Sequence, residues 1–326
     1  MNLIKRICRM NTRTKKRIVA VAVTAATAVS VAVVSGSLYL LHYALTPQRK
    51  TEAQYRSHLM AHSPKEVQPW LDSIYATKAV HEINTRISGR RMHAIYVDAP
   101  APTKHTAVVV HGYKDCSTSM LHIAYIYNKL MGYNVLLPDL YGHGKSEGDH
   151  INMGWLDRLD VIAWMGIADS IFGGNTQMVV HGISMGAATT MCVSGEKLPD
   201  YVKCFVEDCG YTSVWDEFAH ELKDQFGLPK FPMLHTASAI CRWRYGWGFG
   251  EASPLKQVAK CKRPMLFIHG DNDDFVPSAM VHPLYNAKPE PKALWIAKGT
   301  KHARSFHDYP EEYAKQVSDF VSRYIK

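Results

Sequence analysis

Residues 178–194, MVVHGISMGAATTMCVS, contain the pattern that decides the fold. An apolar run at Met178–His181 predicts a strand, G-x-S-x-G follows at 182–186, and Ala187–Ser194 predicts a helix. Such a sharp turn holds its central serine in a strained backbone, and the flanking glycines prevent collisions with neighbouring chain. The hydroxyl then projects at a helix N-terminus, whose dipole favours developing negative charge. The pattern predicts Ser184 as a nucleophile in a turn built on Gly182 and Gly186, with a purely structural glycine turn as the alternative.

Short apolar runs alternate with helical patterns on both sides of this segment. The runs are Thr106–His111, Tyr133–Pro138, Gln177–Ile183, Val202–Glu207, Pro264–His269 and Ala293–Ile296. Before them, period-two segments around Ser88-Gly89-Arg90 predict a hairpin, and an amphipathic helix ends the chain. Strands that are apolar on both faces and alternate with helices predict a mostly parallel sheet flanked by helices. The predicted fold class is therefore α/β.

Two later predicted strands each end in a residue that a serine nucleophile needs. A serine is a weak nucleophile unless a base takes its proton and an acid orients that base. His302 follows the last strand, and Asp271, Asp273 and Asp274 crowd the loop after the strand before it. The chain order Ser, Asp, His is that of the α/β-hydrolase triad. With three carboxylates in one loop, the residue types alone leave the choice of acid open.

Over residues 80–326 the sequence resembles the α/β-hydrolase family, in particular bacterial hydrolases of the serine aminopeptidase-like and esterase-like groups. The resemblance implies the α/β-hydrolase fold. Its G-x-x-D-x-x-V-P pattern, which ends here at Val276-Pro277, selects Asp273 as the acid, and K-H-A places His302 as the base. Some members carry the acid after an earlier strand, which makes Asp208 the reserve candidate.

A tetrahedral acyl-transfer intermediate needs two backbone N–H donors for its oxyanion. One belongs to Met185, the residue after the nucleophile, and the resemblance implies Tyr113, which follows a His-Gly pair, as the other. The segment 139–146 also resembles the family's D-x-x-G-x-G-x-S loop. Asp139 and His143 are expected to structure this loop, with a substrate contact as the alternative.

Residues 213–261 break the alternation of strands and helices, because they are rich in aromatic residues and show no strand pattern. An aromatic insertion between two strands predicts a small helical cap over the carboxyl edge of the sheet. Helices that merely pack on the flank of the sheet are the alternative. Residues 79–326 are thus expected to form one hydrolase domain that contains this cap.

The basic residues are concentrated near the N-terminus. Of the 38 Lys and Arg residues nine lie in residues 1–50, which contain no acid, so the rest of the chain balances 29 basic against 29 acidic residues. A neutral body argues against nucleic acid as a partner. A basic tail at 1–17 precedes an uncharged run, Ile18–Leu41, of 24 residues.

As a helix this run would span ~36 Å at about 1.5 Å per residue, enough for the ~30 Å hydrocarbon core of a membrane. Residues 18–45 are therefore predicted to be a single-pass signal anchor. Basic flanks stay in the cytoplasm, so the domain is expected outside it. Cleavage of a signal peptide and secretion are the alternative. Residues 46–78 are predicted to be a connector with an amphipathic helix.

The seven cysteines show neither metal-ligand spacing nor a C-x-x-C motif, so no metal is expected. Disulfides and buried free thiols both remain open, and so does the oligomeric state. The mechanism requires no cofactor.

The sequence predicts an enzyme, a serine hydrolase that acts on a small-molecule acyl substrate. An aromatic cap favours an apolar ester. Peptidase activity is an alternative, because Glu217, Glu221 and Asp224 in the cap could hold a charged amino terminus. Acyl transfer to another alcohol and a non-catalytic binding module of the cell envelope are further alternatives.

Overall fold

The computed structural model describes residues 11–326, so most of the basic tail, including Cys8, lies outside the described residues. Eight strands form one sheet: β1 (Val80–Ile87), β2 (Arg90–Val97), β3 (His105–Val110), β4 (Asn134–Pro138), β5 (Gln177–Ile183), β6 (Val202–Asp208), β7 (Met265–Gly270) and β8 (Lys292–Ala297). Their spatial order is β1-β2-β4-β3-β5-β6-β7-β8. The pairs β1–β2 and β2–β4 are antiparallel, and the other neighbouring pairs are parallel. The predicted fold class, a mostly parallel sheet, is confirmed.

The α-helices of the described residues are α1 (Thr12–Leu45), α2 (Glu52–His62), α3 (Gln68–Ala76), α4 (Leu121–Tyr125), α5 (Asp157–Ile171), α6 (Met185–Ser194), α7 (Val214–Phe226), α8 (Met233–Tyr245), α9 (Pro254–Val258), α10 (Val281–Ala287), α11 (Ser305–Asp308) and α12 (Pro310–Val321). Two hydrophobic clusters cover the two faces of the sheet. Along β3, Val108 and Val110 belong to the cluster with α5 and α6, whereas Ala107 and Val109 belong to the cluster with α3, α4 and α12. Because such strands are buried on both faces, their sequences are continuous apolar runs.

The hairpin at the sheet edge turns where its sequence predicts. Ile87 pairs with Arg90, and the two residues between them, Ser88 and Gly89, both have positive φ values, 51° and 81°. Positive φ at both central residues is the geometry of a type I′ turn, whose twist matches that of antiparallel strands. The turn fixes the register of β1 on β2.

Residues 46–78, predicted to be a connector with an amphipathic helix, pack closely on the sheet. They contain two helices, α2 and α3, separated at Ser63-Pro64. A side chain–backbone capping box of Thr51 and Gln54 starts α2. In α3, Trp70, Leu71 and Ile74 are buried in the cluster on one face of the sheet.

Helix α1 is long and apolar enough to cross a membrane, although a signal sequence meets the same criterion. The Asn11 side chain accepts a hydrogen bond from the Thr14 N–H and caps its start. The first two thirds of α1 are exposed, and only its last turns contact the body. There Ser37, Leu41 and Leu45 are buried, and their spacing of four residues puts them on one face of the helix.

Between β6 and β7 the chain forms only helices, α7, α8 and α9. Ser213 starts α7 by accepting a hydrogen bond from the Asp216 N–H at 3.0 Å, and Gly227 ends it in the left-handed conformation. Some aromatic residues of this segment pack against each other, as in the edge-on pair Phe218 and Phe249. The six cysteines of residues 11–326 are all buried free thiols.

Candidate active site

Ser184 occupies the turn between β5 and α6 with φ of 57° and ψ of −119°. A non-glycine residue in such a conformation costs ~1–3 kcal/mol, which the surrounding structure must supply. A Cβ atom on Gly182 would lie 2.0 Å from the carbonyl oxygen of Gly186, and one on Gly186 would lie 2.1 Å from that of Val110. Both glycines are therefore required by close backbone packing.

Ser184, His302 and Asp273 form a continuous hydrogen-bonded chain. His302 Nε2 lies 2.8 Å from Ser184 Oγ, and His302 Nδ1 lies 2.7 Å from Asp273 Oδ2. When Nδ1 carries the proton shared with the carboxylate, Nε2 can accept the serine proton. The three residues follow β5, β7 and β8, which are parallel, so their carboxyl ends meet at one edge of the sheet.

The carboxylate of Asp273 is buried among hydrogen-bond donors. Its Oδ1 accepts from the N–H groups of Phe275 and Val276 at 3.1 and 2.9 Å, and His269 Nε2 lies 3.3 Å from Oδ2. Burial raises the pKa of Asp273, but the contacts with His269 and His302 outweigh it and hold the pKa below its usual value. Asp273 therefore carries its charge at neutral pH.

Asp208, the reserve candidate for the acid, has other partners. The Tyr313 hydroxyl donates to Asp208 Oδ2 at 3.0 Å, and Ser305 Oγ lies 3.5 Å from Oδ1. Burial raises the pKa of Asp208 to about 6. The structure thus places Asp208 against α11 and α12, and it places Asp273 against His302.

The other two carboxylates of the loop after β7, those of Asp271 and Asp274, also lie apart from the His302 imidazole. Asp271 Oδ1 accepts from the Gly299 N–H at 2.5 Å, and Asp274 is exposed. Asp271 thus stabilises its loop, and Asp274 is a solvated charge.

The loop after β3 lies beside Ser184. A Cβ atom on Gly112 would lie 3.5 Å from Ser184 Cβ, and Tyr113 and Met185 line the same cavity as Ser184. Such a position beside the reacting serine is what an oxyanion loop requires. The Tyr113 ring extends away from the turn, and its hydroxyl donates to the carbonyl oxygen of Ala44 in α1 at 2.5 Å.

The loop at 139–146 is held in place by hydrogen bonds that converge on Asp139. Asp139 is buried and accepts from the Ser117 N–H at 2.7 Å, from the Lys145 N–H at 2.8 Å and from His93 Nδ1 at 2.7 Å. His143 is buried, and burial lowers its pKa to about 3. Neither Asp139 nor His143 lines the cavity at Ser184, which fits the expectation that they structure the loop.

Ser184 opens into a cavity of about 360 Å³ whose lining is mostly apolar. Helices α1, α7 and α8 and the loops after β3 and β7 supply its walls. Glu217 of α7 is 3% exposed, and its Oε2 has no hydrogen-bond partner among the described residues. Burial raises the pKa of Glu217 well above its usual value. The cavity therefore offers mostly apolar surface, with the carboxyl groups of Glu217 and Glu221 and the ammonium group of Lys114 among its titratable groups.

One cluster beside Ser184 has the residue types of a metal site. The ligand atoms of Cys209, Asp273 and His302 lie within 4.8 Å of one another. Burial raises the pKa of Cys209 far above its usual value, so the residue stays a thiol, whereas metal ions bind the thiolate. Because Asp273 and His302 also hydrogen-bond to each other, the cluster fits acid–base chemistry better than metal binding.

Three features of the site were not found from the sequence. His269 supports Asp273, the Phe275 ring packs 4.9 Å from that of His302, and the last turns of α1 line the cavity. The His-Gly end of β7 was a signal for His269, because a residue at the carboxyl end of a strand lies near the site. No pattern in the sequence of α1 indicated that its last turns would line the cavity.

Fold and site together define a class of protein, the α/β hydrolases, in which the nucleophile lies on a turn after the central strand. A family model described as serine aminopeptidase, S33, matches residues 101–225. The uncharacterized protein YqkD of Bacillus subtilis is 30% identical over 226 residues, covering 69% of this chain and 74% of that protein. The chain belongs to this α/β-hydrolase family and is a hydrolase enzyme.

Two further proteins show the range of similarity. A pimeloyl-[acyl-carrier protein] methyl ester esterase of Xanthomonas campestris is 27% identical over 58% of this chain and 85% of its own length. The solved structure of the Pyrococcus furiosus esterase Pf2001 has a TM-score of 0.61 and 23% identity, covering 76% of this chain and 93% of that chain. The second comparison shows the fold alone.

Proposed function

We propose that this enzyme is a serine hydrolase that cleaves carboxylic esters through an acyl-enzyme on Ser184. The observation that carries the proposal is the hydrogen-bonded chain from Ser184 through His302 to Asp273, with distances of 2.8 and 2.7 Å. A serine held by an imidazole and a buried carboxylate is the arrangement that activates a hydroxyl for attack.

The reaction follows from the positions of these groups. His302 Nε2 takes the Ser184 proton as Oγ attacks the acyl carbonyl, and Asp273 stabilises the imidazolium that forms. The N–H groups of Met185 and Tyr113 hold the oxyanion, at typically ~3–4 kcal/mol per donor. His302 then gives its proton to the leaving alcohol, and water releases the acyl group by the reverse steps.

The cavity favours an ester with an apolar acyl group. At ~30 Å³ for a water-sized group, a cavity of about 360 Å³ holds roughly a dozen non-hydrogen atoms. Turnover of p-nitrophenyl esters is therefore expected to rise from acetate towards chains of roughly ten carbons. The esterase named among the relatives supports the same reaction type.

A fluorophosphonate probe tests the nucleophile. The folded full chain is expected to be labelled, and Ser184→Ala is expected to lose both labelling and ester hydrolysis. Labelling that survives in Ser184→Ala, or folded protein that is never labelled, contradicts the proposal; the second result favours a binding module.

Peptidase activity is the second candidate, because the unpartnered Oε2 of buried Glu217 could accept a hydrogen bond from a substrate ammonium group. Glu221 lines the same cavity. The raised pKa of Glu217 weighs against this reading, because its neutral form attracts a cation weakly. Aminoacyl anilides decide between the two: faster turnover of anilides than of p-nitrophenyl esters overturns the esterase proposal.

We also propose that α1 anchors the enzyme in a membrane with the hydrolase domain outside the cytoplasm. Its apolar surface before Gly36 is exposed rather than covered by the body, and Arg13, Lys15, Lys16 and Arg17 precede the apolar run. Protease added outside cells whose outer layer is permeabilised should then digest the domain. Protection of the domain reverses this topology, and a soluble domain without α1 indicates cleavage.

A further inference from the structure

The last turns of α1 pack directly on the cap. Ser37 Oγ donates to the Met233 carbonyl oxygen at 3.1 Å, and a Cβ atom on Gly36 would lie 2.9 Å from Met233 Cε. Further along α1, the Tyr43 hydroxyl donates to Gln225 Oε1 at 2.9 Å. The helix is therefore fixed to both α7 and α8.

The same turns of α1 line the cavity at Ser184. Leu40, Leu41, Tyr43 and Ala44 all belong to its wall. The carbonyl oxygen of Ala44 also accepts from the hydroxyl of Tyr113, the residue proposed to hold the oxyanion. One helix thus supplies both the apolar run and part of the substrate cavity.

The rise per residue of an α-helix gives the distance of the cavity from the hydrocarbon core of a membrane that α1 would span. A hydrocarbon core of ~30 Å takes about 20 residues at ~1.5 Å each, so a span that starts at Ile18 ends near Ser37. Leu40 and Ala44 lie about three to seven residues further along, or ~4–11 Å beyond that boundary. This is the headgroup region, where the ester bonds of lipids lie.

Exposed aromatic side chains lie on this part of α1 and on the neighbouring cap helices. Tyr39 and Tyr43 are 59% and 47% exposed, their rings stack at 6.5 Å, and Tyr43 packs edge-on against Phe226 at 5.6 Å. Phe231, just before α8, is 72% exposed. Exposed aromatic residues are enriched where a protein crosses the boundary between lipid and water.

Two of these residues also form the rim of the cavity. Tyr43 and Phe226 both line it and are exposed, so it opens between α1 and the end of α7. The apolar interior is thereby continuous with the aromatic surface.

From this arrangement we propose that the enzyme takes long-chain acyl esters of lipids directly from the membrane that holds α1. The inference rests on the proposed esterase function and membrane anchor. The ester end of one acyl chain, roughly its first ten carbons, enters between Tyr43 and Phe226 and packs along Leu40 and Ala44. The rest of that chain and of the lipid stays in the bilayer. Attack of Ser184 Oγ breaks the acyl C–O bond, His302 protonates the leaving lipid alcohol, and water releases the fatty acid.

Reconstituted full-length enzyme tests the route of entry. The vesicles consist of dialkyl-ether phosphatidylcholine, which contains no ester, and carry 1,2-dioleoylglycerol either in the membrane that holds the enzyme or in separate vesicles. Release of oleate is expected to be at least ~10-fold faster, or about 1.4 kcal/mol in the barrier, when both share one membrane. Equal rates in the two arrangements overturn the proposal.

Hydrolysis of soluble p-nitrophenyl butyrate separates this inference from the proposed function. If the butyrate ester is cleaved but no oleate is released from shared vesicles, the membrane substrate is wrong and the esterase proposal stands. If neither ester is cleaved, the esterase proposal fails and this inference fails with it.

A matched pair of variants tests the wall formed by α1. Leu40→Gln puts an amide against the acyl chain, whereas Leu38→Gln makes the same change at a residue that is 44% exposed and outside the cavity. Leu40→Gln is expected to lower kcat/KM for p-nitrophenyl decanoate by roughly 10-fold, because an unpartnered amide is unfavourable in an apolar site. The loss on the butyrate ester should be smaller, because its short chain reaches less of this wall. Circular dichroism checks that Leu40→Gln folds, and Leu38→Gln should leave both esters unchanged. An equal loss on both esters, or no loss on either, contradicts a wall that contacts the acyl chain.

Discussion

Replacing Asp273 by asparagine changes one atom of the proposed triad and so tests its chemistry with little change of shape. In the variant, the side-chain oxygen can still accept from the Phe275 and Val276 N–H groups, as Asp273 Oδ1 does at 3.1 and 2.9 Å. The amide NH₂ then replaces the carboxylate oxygen that lies 2.7 Å from His302 Nδ1. Because an amide NH₂ donates, His302 is driven to the tautomer with hydrogen on Nε2, which cannot accept the Ser184 proton.

The expected loss follows from this exchange of donor and acceptor. In a triad of this kind the wrong tautomer lowers kcat by roughly 10,000-fold, whereas substrate binding changes little. The assay is the steady-state hydrolysis of p-nitrophenyl butyrate, with kcat and KM determined separately. Asp274→Asn is the matched control, because Asp274 is an exposed neighbour in the same loop; it is expected to keep full activity.

A near-normal kcat in Asp273→Asn would refute the reasoning. The acid would then have to come from elsewhere, and Asp208 would be the next residue to change. A large loss in Asp274→Asn as well would show that the loop tolerates no substitution, so that the loss in Asp273→Asn says nothing about tautomers.

Three further predictions concern stability. Burial raises the pKa of Glu207 to about 8, from about 4.5 in the unfolded chain. The contribution of Glu207 to stability is therefore fully present below pH 4.5 and is lost as the pH rises through 8. Glu207→Gln should therefore flatten the fall in thermal stability between about pH 4.5 and about pH 8; an unchanged slope contradicts the raised pKa of Glu207. Gly186→Ala should yield little folded protein by circular dichroism, because the new Cβ meets the Val110 carbonyl oxygen at 2.1 Å, whereas Gly250→Ala, which has open space, should fold normally. Tyr113→Phe should lower the free energy of unfolding by about 0.5–1.5 kcal/mol through loss of the bond to α1, and a stability equal to wild type in denaturant titration would show that this bond contributes nothing.

The nucleophile turn could be placed from the sequence because its cause is local. Gly182 and Gly186 are fixed by contacts within a few residues and by the adjacent strand, and the strand and helix around them have clear patterns. Even so, the helix begins at Met185 rather than at Ala187, because apolar periodicity marks the buried face of a helix better than its first turn.

What supports the site could not be placed from the sequence. The contact between His269 and Asp273 requires the exact path of the loop after β7, which no residue pattern specifies. The structure also divides residues 46–78 into two helices, for which Pro64 was a usable signal because it disfavours helix at the residue before it. The apolar residues at the end of α1 were predicted as lipid-facing because burial in lipid and burial in protein demand the same side chains.

Several hydrogen bonds join the end of α1, and the residues that follow it, to the body of the protein. The carbonyl oxygen of Ala44 accepts from Tyr113, that of Leu45 accepts from the Ile151 N–H at 2.8 Å, and Arg49 donates to the carbonyl oxygens of Ser146 and Gly148. An enzyme anchored through such a rigid joint cannot tumble or reach outwards. If α1 spans a membrane as proposed, the search for substrate becomes two-dimensional, with the cavity held at one height and one tilt, and the reach of the enzyme ends within a molecular diameter of the bilayer.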